Sequence, residues 1–223
     1  MAAKAIPSLL LIAVFCIGGR SPASAEESTT SPPVQTLVDR VLVAVGDTPI
    51  TAYQLAFETE VRAQIAASPR KQGLGRLLNE AVDPLEALIF REILRRLPPA
   101  RTISVDEAVA RSRLRLFEGS FETPSASASF RARWGIDRTA LLEFFKESVV
   151  LDEVVKLSVV VQVSEQEKRN YYERNKNRVF GDKPEAAVSD FIAQQVYLLK
   201  FEAEYNSWRS RLRANAQKRY IGR

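Results

Sequence analysis

The apolar positions of this chain change their spacing sharply between residues 38 and 55. Residues 41–45 are all apolar, and a run that is apolar on both faces is typical of a buried strand. The next two residues, Gly46 and Asp47, predict a tight turn between antiparallel strands. Thr51 predicts the N-cap of a helix, because its hydroxyl can accept a hydrogen bond from an amide of the first turn. The segment is therefore predicted to form a β-hairpin followed directly by a helix.

The rest of the chain has the apolar spacing of helices, and no repeat of fixed length is present. We predict seven helices, of which the first starts at Thr51, the second runs from Asp83 and Pro84 to Leu97, and the third starts at a capping box, 104–107. The fourth ends at Trp134, and the fifth starts at Asp137 or Thr139 and runs through Val155. The sixth starts at a second capping box, 164–167, and the seventh runs from Glu185 to about Gln217.

A β-hairpin alone is too small to be stable, so the predicted hairpin needs a partner from elsewhere in the chain. Residues 219–221 are bulky and have high β propensity, and they directly follow the last predicted helix. We predict that they form the third strand beside the hairpin. The fold class is therefore predicted to be mainly α, with a small sheet made by the N-terminal hairpin and the C-terminal tail.

The start of the chain has the features of a secretory signal peptide, predicted to cover residues 1–25. Lys4 precedes an apolar run at 9–17, and small residues lead to a predicted cleavage site after Ala25. The apolar run is shorter than a membrane span requires. The protein is therefore expected to be exported to the periplasm, and Cys16, the only cysteine, is expected to leave with the signal peptide.

The predicted mature chain forms a single module. Residues 26–36 are polar and contain prolines, which predicts a flexible leader. Residues 37–180 are predicted to form a helical core with the hairpin at its start, and residues 185–223 a long helix and tail strand that complete the same module.

Composition excludes several kinds of chemistry. The sequence has no histidine, which rules out a Ser-His-Asp triad, Cys-His catalysis and histidine-ligated zinc. Removal of the predicted signal peptide would take away two cations and lower the net charge from +5 to +3. A charge this small does not indicate a nucleic-acid-binding surface. Carboxylate chemistry remains open in principle, but the acids mostly lie at predicted caps and solvent faces. We expect no catalytic residues, no metal and no cofactor.

Four segments in this order resemble the N-terminal chaperone region of SurA and its relatives among exported parvulin-type foldases. They are the hairpin VDRVLVAVGDTPIT, the helix SVDEAVARSR, the block VSEQEKRNYYERNKNRVF, and a last helix that ends in RLRANAQKRYI. The resemblance covers nearly the whole predicted mature chain.

One departure from that family bears on activity. In the family, the block that ends here at Phe180 is usually followed by a parvulin prolyl-isomerase domain, and the last helix returns afterwards. Here only residues 181–187 separate Phe180 from Val188, which leaves no room for such a domain. The absence of histidine points the same way, since parvulin sites resemble histidine-bearing pockets. The resemblance therefore implies chaperone function without isomerase activity.

Several aromatic side chains are candidates for a surface that binds apolar client segments, because rings offer large, adaptable contact area. The candidates lie in and beside the loop-rich middle of the chain, where core packing is the alternative interpretation of each. They are Phe117, Phe121, Phe130, Trp134 and Phe144. Phe145 is predicted to face the core.

The C-terminal end is basic and contains no acid from residue 205 onward. It could contact an anionic lipid or an acidic partner, or it could be a solvated helix end whose cations complement the helix dipole. The cations concerned are Arg209, Arg211, Arg213, Lys218, Arg219 and Arg223.

Together these features predict an ATP-independent periplasmic chaperone that holds unfolded exported proteins, among them precursors of outer-membrane β-barrels. The alternative from a different class is a dedicated scaffold or adaptor of a cell-envelope assembly, without general chaperone activity.

Overall fold

A computed structural model of the chain describes residues 39–221. The predicted signal peptide, its cleavage site after Ala25, Cys16 and the predicted leader 26–36 lie outside these residues. The described part is mainly helical, with eight α-helices and one small antiparallel sheet. The helices are α1 (Ala52–Ala67), α2 (Arg76–Asn79), α3 (Pro84–Arg95), α4 (Glu107–Glu118), α5 (Pro124–Arg133), α6 (Arg138–Ser158), α7 (Glu165–Asn175) and α8 (Glu185–Asn215).

The sheet joins the two ends of the described chain. Strands β1 (Val41–Val45) and β2 (Thr48–Thr51) form the predicted hairpin, and β3 (Lys218–Tyr220) lies antiparallel on the other side of β1. The strand order is β2-β1-β3, so β1 is central. Its last three residues are buried, as the continuous apolar run predicts. The prediction that the tail supplies the third strand is confirmed.

Most helix starts follow from side-chain caps. Thr51 accepts from the Gln54 amide and the Gln54 side chain accepts from the Thr51 amide, which completes a capping box at α1. Ser164 and Glu167 form the same motif at α7, as predicted. The predicted capping box at 104–107 is wrong by two residues, because Asp106 caps α4 through the amides of Ala108 and Val109.

Two short segments differ from the predicted pattern. The stretch around residues 68–79 contains a 3-10 turn, Lys71–Leu74, and the one-turn helix α2, which periodicity over so few residues does not show. After α7 the chain widens into a π-helical turn, Lys176–Phe180, before Gly181 adopts a positive φ of 56° and ends it. Such turns are rare, and they frequently occur at functional sites.

The apolar interior consists of four clusters that follow the chain. The first contains the aromatic residues of α4, α5 and α6 against α1, and the second packs α3 and α6 against the C-terminal half of α8. The third seats the hairpin on α3. The fourth lies between α7, the π-helical turn and the N-terminal half of α8. We call these three elements together the α7–α8 hairpin.

Gly75 directly precedes α2, and its backbone lies close to the buried ion pair of Arg113 and Asp152. Its φ of 93° is a conformation that other residues rarely adopt. A Cβ atom at this position would lie 2.1 Å from Asp152 Oδ2 and 2.5 Å from Arg113 Cζ. Glycine is therefore required both by the turn and by the close approach of these two side chains.

Candidate functional site

The structure brings the five predicted aromatic candidates together around one cluster of rings. Phe117 and Phe130 are 0% and 1% exposed, and their ring centroids are 5.5 Å apart. Phe121 lies 5.3 Å from Phe117 and 5.5 Å from Phe130, measured between ring centroids. Phe145 is fully buried in the same cluster, which confirms its predicted core position.

The burial of Phe117 and Phe130 favours core packing, the alternative interpretation of these two candidates, over client binding. Both side chains stabilise the junction of α4, α5 and α6 by burial and ring packing, so in this structure core packing is their role. Phe121, Trp134 and Phe144 are partly buried and pack against the outside of the cluster. Trp134 Nε1 donates to Glu60 Oε2 at 2.8 Å, which fixes this ring at the edge. The five side chains form part of a core and its border.

A groove with apolar walls lies elsewhere, between the C-terminal part of α6 and the middle of α8. It has a volume of about 360 Å³, and we call it the α6–α8 groove. Tyr197 and Leu198 of α8 are 42% and 45% exposed at its side, and Val155 of α6 and Phe201 of α8 are buried beside them. The full lining is Gly75, Arg76, Arg113, Asp152, Val155, Lys156, Tyr197, Leu198 and Phe201.

The charged side chains that line the α6–α8 groove are neutralised within the protein. Arg113 Nη2 lies 2.7 Å from Asp152 Oδ2, and both side chains are almost fully buried. Asp152 also accepts from the Arg76 and Leu77 amides at 3.2 and 3.1 Å, and so satisfies the free amides at the start of α2. The Lys156 ammonium pairs with Glu153 on the surface of α6. These groups are therefore not free to attract a charged ligand.

Arg76 forms the remaining charged wall of the groove. Its guanidinium donates two hydrogen bonds to the Glu202 carboxylate, at 2.8 and 2.7 Å, and its Cζ lies 4.0 Å from the ring centroid of Tyr205. The hydrogen bond to Glu202 raises the pKa of Arg76, and the same bond lowers the pKa of Glu202, so both remain charged at neutral pH. The planar guanidinium covers aromatic faces while its charge is neutralised by the carboxylate.

The arrangement suits binding of an apolar side chain rather than covalent chemistry. Its exposed surface is aromatic and aliphatic, and its charged groups are ion-paired within the protein, while Arg76 Nε and Arg113 Nε are buried without a hydrogen-bond partner. A bound apolar group would therefore displace water without breaking an ion pair. Within residues 39–221 no group of three or more His, Cys, Asp or Glu residues is placed to hold a metal ion.

Two of the basic residues near the C-terminus have structural partners. Arg209 Nη1 lies 2.9 Å from Glu80 Oε2, and its guanidinium lies 4.8 Å from the ring centroid of Phe90. Arg213 pairs with Glu86 of α3. These residues join α8 to α3 and to Glu80, which ends α2, so two cations of the candidate basic surface are neutralised within the protein. Arg223 lies outside the described residues.

Helical periodicity alone does not show the α6–α8 groove, because it identifies one apolar face of a helix and the groove needs a second face of α8. Residues 196–199, Val-Tyr-Leu-Leu, are four consecutive apolar residues, and such a run covers more of a helix than one stripe. Asp152 gave a second signal. It is an acid between apolar residues of α6, at a position that must be buried, and buried acids require partners.

In the part of the chain that the structure covers, no helix is both long enough and apolar enough to cross a membrane. Comparisons of the chain with protein-family models, with curated proteins and with solved structures returned no match.

Proposed function

We propose that this protein is an ATP-independent chaperone of the periplasm that holds unfolded exported polypeptides, including outer-membrane β-barrel precursors. The observation that carries the proposal is the α6–α8 groove, in which exposed apolar side chains stand beside charges that are already paired. The resemblance of four segments to the SurA chaperone region supports the same function. The signal-like features of residues 1–25 support export.

The proposed mechanism is holding without a covalent step. A bound unfolded chain is withdrawn from the pool that aggregates, by mass action alone. Tyr197 and Leu198 provide contact area of the kind that an unfolded chain offers in its own apolar side chains. Burial of one such side chain contributes about 1.5–3 kcal/mol before the costs of ordering the chain, so single contacts are weak and the client can leave again.

The proposal is tested by aggregation of a urea-denatured outer-membrane protein after dilution, measured by light scattering at low and high salt. We expect the protein to suppress scattering at both salt concentrations, because apolar contact persists when exposed charges are screened. Leu198→Ser and Tyr197→Ser should each weaken suppression by about tenfold in the protein concentration required. Val179→Ser is the matched control, since Val179 is 51% exposed and does not line this groove.

Two outcomes would contradict the proposal. Suppression that disappears at high salt and is unaffected by Leu198→Ser would mean that exposed charge, not the α6–α8 groove, carries binding. No suppression for several unrelated clients, together with purification of one stoichiometric folded partner, would favour the scaffold alternative.

A further inference from the structure

A second groove lies on the α7–α8 hairpin. It has a volume of about 580 Å³ and is bordered by α7 and the π-helical turn on one side and by α8 on the other; we call it the α7–α8 groove. Its lining residues are Glu167, Tyr171, Arg174, Asn175, Arg178, Val196, Leu199 and Lys200. It shares no lining residue with the α6–α8 groove.

Two arginines on the α7 side of this groove are positioned but have no acidic partner among residues 39–221. Arg174 Nε donates to the Asn170 carbonyl at 3.0 Å, and Arg178 Nη2 donates to Asn175 Oδ1 at 3.2 Å. Each guanidinium has five N–H donors, so most of them remain available. Most of the arginines around the α6–α8 groove and the helical core are, by contrast, paired with carboxylates.

The other charges of the groove cancel each other. Lys200 Nζ lies 2.6 Å from Glu167 Oε1 and also donates to the Gln162 carbonyl at 2.6 Å. The hydrogen bond from Lys200, with those from the amide and hydroxyl of Ser164, lowers the pKa of Glu167 to about 2. Glu167 therefore stays ionised and paired with Lys200 at neutral pH. The uncompensated charge of the groove comes from Arg174 and Arg178.

Apart from Lys200, which is paired with Glu167, the α8 side of the groove is apolar. Val196 is 6% exposed and forms the floor, and Leu199 is 62% exposed at the side. Tyr171 adds a half-buried ring from α7. Arg178 belongs to the π-helical turn, an uncommon backbone form that occurs frequently at functional sites. Free guanidinium donors thus stand beside an exposed leucine and a buried valine in one concave surface.

We propose that the α7–α8 groove is a docking site for a polypeptide segment that carries a carboxylate side chain next to an apolar side chain. The carboxylate pairs with the guanidinium groups of Arg174 and Arg178, and the apolar side chain packs on Leu199 and Val196. Planar guanidinium groups match carboxylate oxygens two at a time, so charge and shape favour this partner over a basic or uncharged one. The inference is independent of the proposed chaperone function, which concerns the α6–α8 groove.

The test uses a fluorescein-labelled peptide in which glutamates stand next to leucines between glycine-serine ends. Its twin contains glutamine in place of glutamate. Fluorescence anisotropy with the full chain should show that the glutamate peptide binds at least tenfold more tightly than its twin. Arg174→Gln and Arg178→Gln should each weaken binding of the glutamate peptide about threefold to tenfold, because each removes a charge-assisted contact at a partly exposed site.

Two further variants keep the result specific. Leu199→Ser should weaken both peptides, since it removes apolar contact and leaves the arginines in place. Arg169→Gln removes an exposed cation of α7 that does not line the groove, and it should leave both affinities unchanged. Circular dichroism checks that each variant is folded.

Equal affinity for the glutamate and glutamine peptides would overturn the inference. So would a loss for Arg169→Gln as large as that for Arg178→Gln, which would indicate general attraction to positive charge. Because Leu198→Ser should leave peptide affinity unchanged while it weakens suppression of aggregation, failure of this inference and failure of the proposed function are separable.

Discussion

Removal of the Asp152 carboxylate should destabilise this protein more than removal of any surface acid. Asp152 pairs with Arg113 and accepts from the Arg76 and Leu77 amides, so one side chain joins α6 to α4 and to the start of α2. Arg113 is held on its other side by Ser148, at 2.9 Å. In Asp152→Ala the guanidinium stays buried without its counter-ion, and two amides lose their acceptor.

The expected magnitude follows from the burial of both partners. Breaking a buried ion pair by removing one partner costs about 3–5 kcal/mol of unfolding free energy, because the other charge is left unpaired. In a domain of this size each kcal/mol corresponds to about 2–4 °C in melting temperature, so Asp152→Ala should melt about 6–20 °C lower. The neighbouring acid Glu153 forms an exposed pair with Lys156, and Glu153→Ala should cost about 0–1 kcal/mol.

The assay is urea and thermal unfolding by circular dichroism of the two single variants, Arg113→Ala and Asp152→Ala, and of the double variant. Because removal of both partners leaves no buried unpaired charge, the double variant should lose less stability than the sum of the two single losses. An Asp152→Ala protein that unfolds within about 1 kcal/mol of the natural chain would refute the reasoning, as would additive losses.

Two further predictions concern the sheet and the effect of acid. Ending the chain after Gln217 removes β3 and exposes the edge of β1, so thermal unfolding by circular dichroism should shift down by several degrees, and an unchanged curve would mean that the tail contributes nothing. Burial raises the pKa of Glu147, but the hydrogen bond from Arg95 and the charges of Arg91 and Arg95 outweigh it, and the net pKa lies below the usual 4.5. Glu147 therefore contributes to the free energy of unfolding above about pH 4.5, and this contribution is lost as pH falls through its folded pKa. Between pH 5 and pH 3, urea titrations should show a smaller loss of stability for Glu147→Gln than for the natural chain. Equal losses in the two proteins would contradict this.

The parts of the fold with strong local signals were predictable from sequence. The turn residues Gly46 and Asp47 set the hairpin, and Thr51 both closes β2 and caps α1. The tail strand followed from a physical requirement, since a hairpin with one buried strand needs a further partner. Helix α8 starts at the predicted Glu185 and ends two residues before Gln217.

The site was less predictable, because its residues are defined by tertiary contacts. Phe130 lies on a helix with no clear apolar face, so periodicity could not distinguish a presented ring from a buried one, and the contacts with Phe117 and Phe121 decide it. The partners Arg113 and Asp152 are 39 positions apart, and no local pattern joins them. An isolated charge in an apolar stripe shows that a partner exists without showing which residue it is.

The two grooves are related through one helix. Within residues 196–201 of α8, Tyr197, Leu198 and Phe201 line the α6–α8 groove, and the other three residues line the α7–α8 groove. At 3.6 residues per turn these two sets point to nearly opposite sides of the helix. This accounts for the four consecutive apolar residues at 196–199, because a helix that is buried on one side only needs apolar residues at about half of its positions. Because each groove uses its own face of α8, substitutions can alter either surface separately. Asp152 differs from these residues, because its side chain lines the α6–α8 groove and also holds α2, α4 and α6 together. Variants of Asp152 therefore report on the stability of the fold, while variants of Tyr197 and Leu198 report on binding.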